Sequence, residues 1–218
     1  QFQLKLLLAV VAVGVAIPLI WRALSRAQGG IGSRSEAQAG FLDNLPERHL
    51  GLAIVVSAAL SLFLELVVIR WQGAVFPVFA FYKNFTLLAC FAGLGLGYAL
   101  AGRSAIPLPL VTPVLAVQFL LLTFLRYGLG AWRIRSLMAT PVTEQLNMGF
   151  SVARSVPHLT AIYFFLLVVF LLTALAFLPV GQLCGRLIAR RENLAAYGCN
   201  LLGSLLGVLL MFAVSYLW

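Results

Sequence analysis

Six long apolar segments dominate this chain of 218 residues. A helix that crosses the hydrocarbon core of a bilayer needs about 20 apolar residues, and six segments reach that length. They lie at about 4–24, 50–71, 74–102, 106–131, 158–189 and 194–218. The sequence therefore predicts an all-α fold, a polytopic integral membrane helix bundle with about six transmembrane helices.

The composition supports a membrane protein with little soluble mass. The chain is 62% hydrophobic and 10% charged, with a mean hydropathy of +1.03, whereas a soluble domain carries about 25% charged residues. The net charge of +9 would suggest a nucleic-acid partner in a soluble protein. Here the basic residues lie mostly in loops and at helix ends, where they set topology and contact lipid headgroups. We expect the bilayer as a partner and no nucleic acid.

Three parts are predicted along the chain. Residues 1–26 form an N-terminal transmembrane helix, which we expect to be retained because no small-residue cleavage motif precedes Arg22. Residues 27–48 are polar and rich in glycine, serine and alanine, which indicates a flexible linker with a turn near Asn44. Residues 49–218 form a transmembrane domain of five helices.

Glu65 and Lys83 are charged residues inside two consecutive apolar segments. A charge in a lipid-spanning helix costs roughly 2.5–3.5 kcal/mol, so such residues usually pair or line a path. From a turn near Gln72, the two residues would lie at depths of roughly 11 and 15 Å. The sequence predicts an intramembrane charge pair, with Arg70 and Trp71 as anchors at the membrane interface.

Small and polar residues recur within the apolar segments. Glycines spaced four apart allow helix backbones to approach closely, and the candidates for helix packing are Gly93, Gly95, Gly97, Gly181, Gly185, Gly203 and Gly207. A dimer interface or a substrate path is the alternative interpretation, and packing within the chain is favoured. Asn84, Gln118 and Asn200 are expected to be polar groups within the membrane.

The chain lacks the residue patterns of common catalytic sites. Of six acids only Glu65 lies deep in an apolar segment, and general acid–base catalysis needs a positioned titratable group. The three cysteines have no metal-ligand spacing, and both histidines lie at helix entrances. We therefore expect no metal site, no cofactor and no enzymatic activity in this segment.

The distribution of basic residues predicts an orientation. In a six-helix serpentine, eight Lys and Arg residues lie on one side and about six on the other. Since basic residues are enriched in cytoplasmic loops, this count favours both termini on the non-cytoplasmic side.

Four motifs carry a resemblance to a known family. They are ELVVIR (65–70), GLGLG (93–97), PVGQLCGRL (179–187) and YGCNLLGSLLG (197–207). Together the stretches 57–103 and 173–210 resemble the membrane domain of bacterial membrane-bound spermidine-synthase-like (polyamine aminopropyltransferase-like) proteins. In that family a cytoplasmic Rossmann-like catalytic domain usually follows, and its catalytic residues match no position here. The resemblance implies that the chain lies in a bacterial cytoplasmic (inner) membrane and shares the membrane architecture of that domain. The residues that it carries over are Glu65, Arg70, Gly93, Gly95, Gly97, Asn200, Gly203 and Gly207.

Three functional hypotheses remain open. The first is a non-catalytic module, either an accessory subunit of a larger complex, such as a respiratory or photosynthetic one, or the membrane anchor of an aminopropyltransferase-like enzyme. The second is a transporter or binder of small organic cations such as polyamines, in which Glu65 would attract the amine and Lys83 would compete with it. The third, an enzyme, requires a native polypeptide that continues past Trp218.

Overall fold

The structure, a computed structural model, describes residues 33–127 and 156–217, and every regular element in these ranges is helical. In chain order the elements are α1 (33–43), α2 (Glu47–Val75), α3 (Pro77–Phe81), α4 (Lys83–Ala99), α5 (Val111–Tyr127), α6 (Val156–Ile188) and α7 (Asn193–Leu217). A single 3-10 turn, Leu108–Leu110, precedes α5. The predicted all-α class is confirmed for these ranges. The predicted N-terminal helix at 1–26 lies outside the described residues.

Three of the described helices are long and apolar enough to cross a bilayer: α2, the part of α6 from Tyr163 to Ile188, and α7. Two shorter apolar helical stretches lie at Asn84–Ala99 and Leu108–Thr123. The prediction of a helical membrane protein agrees with this pattern, whereas the count of six spans is not confirmed. One reason for the lower count is that a predicted span is divided.

The apolar segment 74–102 is interrupted twice. Phe76 is extended, with φ −127° and ψ 120°, and it ends α2. Because proline disfavours the helical region for the residue before it, Pro77 accounts for this break. Tyr82, with φ −105° and ψ 56°, then separates α3 from α4. Pro179 lies within α6 without ending that helix.

The helices pack mainly in two pairs, α4 on α6 and α2 on α7, with α5 also against α6. Glycine is required where α4 meets α6. A Cβ atom on Gly93 would collide with the carbonyl oxygen of Ala174, and a Cβ on Gly181 would collide with the carbonyl oxygen of Leu94. Gly95 differs, because no described atom lies within 4 Å of its ideal Cβ position.

The same requirement holds between α2 and α7. A Cβ on Gly207 would lie 2.6 Å from the carbonyl oxygen of Ala59, and a Cβ on Gly203 would overlap the carbonyl oxygen of Val55. The backbones of both pairs are therefore in direct contact, as small residues at this spacing allow.

The polar stretch before α2 differs from the expected flexible linker. Residues 33–43 form a helix, and the turn follows at Asn44. Alanine, glutamine and glutamate in this stretch are strong helix formers. Leu42 is buried against Leu50 and Leu187, and the Arg190 guanidinium donates hydrogen bonds to the carbonyl oxygens of Leu42 and Leu45. The helix α1 is thereby held against one end of the bundle.

Candidate functional site

Four polar side chains from four helices meet inside the bundle. They are Gln72 of α2, Thr86 of α4, Gln118 of α5 and Thr173 of α6, and each is at most 1% exposed. We call these four residues the core cluster. Buried polar groups in a membrane helix need internal partners, because lipid offers none.

The directions of the hydrogen bonds follow from the Thr173 hydroxyl, which can donate once and accept twice. It donates to the carbonyl oxygen of Val169 at 2.8 Å. It therefore accepts from the Nε2 atoms of Gln72 at 3.0 Å and Gln118 at 2.8 Å. The Thr86 hydroxyl donates to Oε1 of Gln72 at 2.7 Å. Thr173 is thus saturated and links three helices.

The Oε1 atom of Gln118 is buried and has no hydrogen-bond partner among the described residues. Exchanging the positions of Oε1 and Nε2 in this amide would not give the oxygen a hydrogen-bond donor. Oε1 would then face Thr173, whose only proton is already donated, and the carbonyl oxygen of Val169, which now lies 3.4 Å from Nε2. An unsatisfied buried acceptor costs about 1–3 kcal/mol. The cluster therefore leaves one acceptor available for a donor group.

Glu65 lies about two turns before Gln72 on α2 and is only 3% exposed. Among the described side chains it has no hydrogen-bond or ion-pair partner. The helix α4 begins at Lys83, whose side chain lies outside the described part of the structure, so the predicted charge pair stays a prediction.

A second set of polar contacts fixes the connection between α4 and α5. Oε1 of Gln182 accepts a hydrogen bond of 2.6 Å from the backbone N–H of Ile106, while its Nε2 donates to two backbone carbonyls. Arg186, one turn later, donates to two more. The four carbonyl groups belong to Leu100, Ser104, Ala101 and Arg103. These bonds hold the loop on the end of α6 and are structural.

The two predicted interface anchors lie at the other end of the bundle. The Arg70 guanidinium is exposed and donates a hydrogen bond to the Ser215 hydroxyl of α7. The Trp71 ring stacks on Phe119 of α5, with ring centroids 5.5 Å apart.

The three predicted intramembrane amides have different environments. Gln118 is fully buried, Asn200 is half-buried and Asn84 is exposed. Only Gln118 joins the core cluster.

Sequence reasoning missed Gln72 because it was placed in a turn, whereas α2 continues to Val75 and buries it. It also missed Thr86 and Thr173, which resemble ordinary threonines in apolar segments. Gln182 carried a usable signal, since it precedes Arg186 by four residues and so shares a helix face with it.

The described residues offer no cluster of three or more histidine, cysteine, aspartate or glutamate side chains that could hold a metal ion. No protein-family model matches the chain, and neither the curated proteins nor the solved structures contain a match.

Proposed function

We propose that this chain is a non-catalytic integral membrane module that acts as an accessory subunit of a larger membrane complex or as the membrane anchor of an aminopropyltransferase-like enzyme. The observation that carries the proposal is that buried polar side chains form hydrogen bonds within the bundle. Gln72, Thr86, Thr173 and Gln182 bond across helices or to the backbone, which is what a packing role requires.

The outer face of α7 is the surface for a partner subunit in this proposal. Only Ala196, Gly203 and Gly207 of this helix are buried, and among the described helices it packs chiefly on α2. Its outward side chains are large and apolar, and they include Leu202, Leu205 and Leu209. Without a hydrophobic driving force in lipid, such a face associates through close packing with another transmembrane helix.

The anchor form of the proposal rests on the family resemblance. It assigns the chain to a bacterial cytoplasmic membrane. The count of basic residues favours both termini on the non-cytoplasmic side, so a cytoplasmic catalytic domain would require a further transmembrane helix after Trp218. It also requires that the native polypeptide be larger than 23.6 kDa.

The test is the intact mass of the native polypeptide, purified in mild detergent together with any bound proteins. A mass well above 23.6 kDa supports the anchor, and a mass near this value with stoichiometric partners supports the accessory subunit. A chain that purifies alone, and that moves a solute specifically after reconstitution into vesicles, would overturn the proposal.

A second candidate function, binding or transport of a small organic cation such as a polyamine, is favoured by a different observation. The Glu65 side chain is buried and no described side chain pairs with it, and the Gln118 Oε1 atom is a buried acceptor without a described donor. Intramembrane acids are costly and commonly mark ion or substrate sites. An ammonium group at Glu65 would supply hydrogen-bond donors and the positive charge that compensates the carboxylate.

The test of this candidate is spermidine binding to purified protein, measured by calorimetry. Glu65→Gln should abolish binding, whereas Glu192→Gln, which changes an exposed acid, should leave it unchanged. Equal affinity of the Glu65→Gln variant and the wild type would remove this carboxyl group from the mechanism.

A further inference from the structure

An open groove of about 520 Å³ lies between α2 and α7, next to α3. Its walls are apolar and include Leu66 and Ile69 of α2 and Val208, Met211 and Phe212 of α7. The groove is separate from the core cluster, because none of the four cluster residues lines it.

Small residues make room for the groove at the end of α2. Gly73 and Ala80 both line it, and a Cβ atom on Gly73 would already lie 3.4 Å from the Cα atom of Ala80. Phe212, on the facing side, is 69% exposed, so the groove opens outward from the bundle. In a bilayer this opening faces the lipid.

One charged side chain, Arg70, lines the groove. The guanidinium group has five N–H donors, and one of them bonds to the Ser215 hydroxyl. Within the described ranges Arg70 forms no ion pair, and no carboxylate lines the groove. An uncompensated positive charge therefore lies beside an apolar wall.

The position of this charge is also the one expected for contact with a lipid headgroup. Arg70 is near the C-terminal end of α2, and Ser215 is near the C-terminal end of α7, so the two long helices end on the same side of the bundle. Arginines near the ends of membrane helices reach the interface, where lipid phosphates lie.

From these features we propose that the groove binds one anionic phospholipid, with the phosphate at Arg70 and an acyl chain along the walls formed by α2 and α7. A free anion would make no use of the apolar walls, and a neutral hydrocarbon would make no use of the charge. The site stands independently of the accessory or anchor role proposed above.

The test is native mass spectrometry of the full chain, released from bilayers of equal parts phosphatidylglycerol and phosphatidylcholine. We expect the wild type to retain one phosphatidylglycerol in preference to phosphatidylcholine. Arg70→Gln should lower this preference about fivefold, as expected for one basic residue at a membrane surface. Arg103→Gln, which alters an exposed arginine in the loop after α4, at the opposite end of the bundle, is the matched control and should keep the preference.

Met211→Trp separates a lipid from a simple anion by filling the groove while Arg70 stays in place. It should reduce retention of both lipids, and retained helicity by circular dichroism verifies the fold. Equal retention of the two lipids by the wild type, an unchanged preference in Arg70→Gln, or displacement of the lipid by inorganic phosphate would each overturn the assignment.

Discussion

The side-chain amide of Gln118 donates a hydrogen bond of 2.8 Å to the hydroxyl of Thr173, which ties α5 to α6 at a fully buried point. The Gln118 amide is only partly satisfied, because its nitrogen donates this hydrogen bond while its oxygen has no described partner. The two ends of this bond should therefore respond differently to mutation.

Thr173→Val should destabilise the protein more than Gln118→Leu. The valine removes the acceptor of two glutamine side chains and should cost about 2 kcal/mol. The leucine removes one interhelical bond, worth about 0.6 kcal/mol on average in membrane proteins, together with the unsatisfied oxygen. Unfolding of both variants in mixed micelles measures the difference, and equal losses would contradict the assigned bond directions.

Gly181→Ala should destabilise the contact between α4 and α6 by about 1–3 kcal/mol, because its methyl group would overlap the Leu94 carbonyl oxygen. Gly95→Ala is the matched control in the facing helix. With open space at its Cβ position, it should be neutral or stabilise by up to about 1 kcal/mol through helix propensity. Thermal unfolding in detergent measures which variant is less stable. A larger loss of stability for Gly95→Ala than for Gly181→Ala would contradict the described packing of α4 on α6.

Gln182→Leu should loosen the connection between α4 and α5. It leaves the Ile106 N–H and the carbonyl groups of Leu100 and Ser104 without their partner. Hydrogen–deuterium exchange should accelerate across residues 100–106. Asn84→Leu, at an exposed amide, should leave exchange in that loop unchanged, and the same pattern in both variants would argue against a specific role of Gln182.

A double-mutant cycle tests the predicted pair of Glu65 and Lys83. Breaking a buried pair leaves one charge uncompensated, so Glu65→Gln and Lys83→Met should each destabilise the protein. The double variant should lose less unfolding free energy than the two single variants lose together, with a coupling energy of at least about 1 kcal/mol. Additive effects would mean that the carboxyl group has no partner at Lys83.

The length and apolar character of the segments predicted the helical class, and the four-residue spacing of glycines led us to expect helix packing at Gly93, Gly181, Gly203 and Gly207. These features depend on local composition and spacing, which a sequence displays directly. The break at Phe76 also has a local signal, the proline that follows it. The apolar segment is long enough to be interpreted as one continuous helix, so this break was not predicted.

The core cluster could not be predicted in the same way. Its hydrogen bonds join residues far apart in the chain. The bond from Gln72 to Thr173, for example, joins residues 101 positions apart. Such a contact depends on which helix faces which, and hydropathy carries no information about that choice. Gln118 stood out as an amide in an apolar segment, whereas its partners did not.

The central place of α6 has a consequence for biogenesis. Gln118 precedes Thr173 by 55 residues, so at translation rates of 5–20 residues per second its partner is synthesised roughly 3–11 s later. During this interval Gln72 and Gln118 have already been delivered to the membrane without the hydroxyl that will pair with them. The nascent chain therefore needs the translocon, an insertase or water at its lateral gate to shelter these amides until α6 emerges.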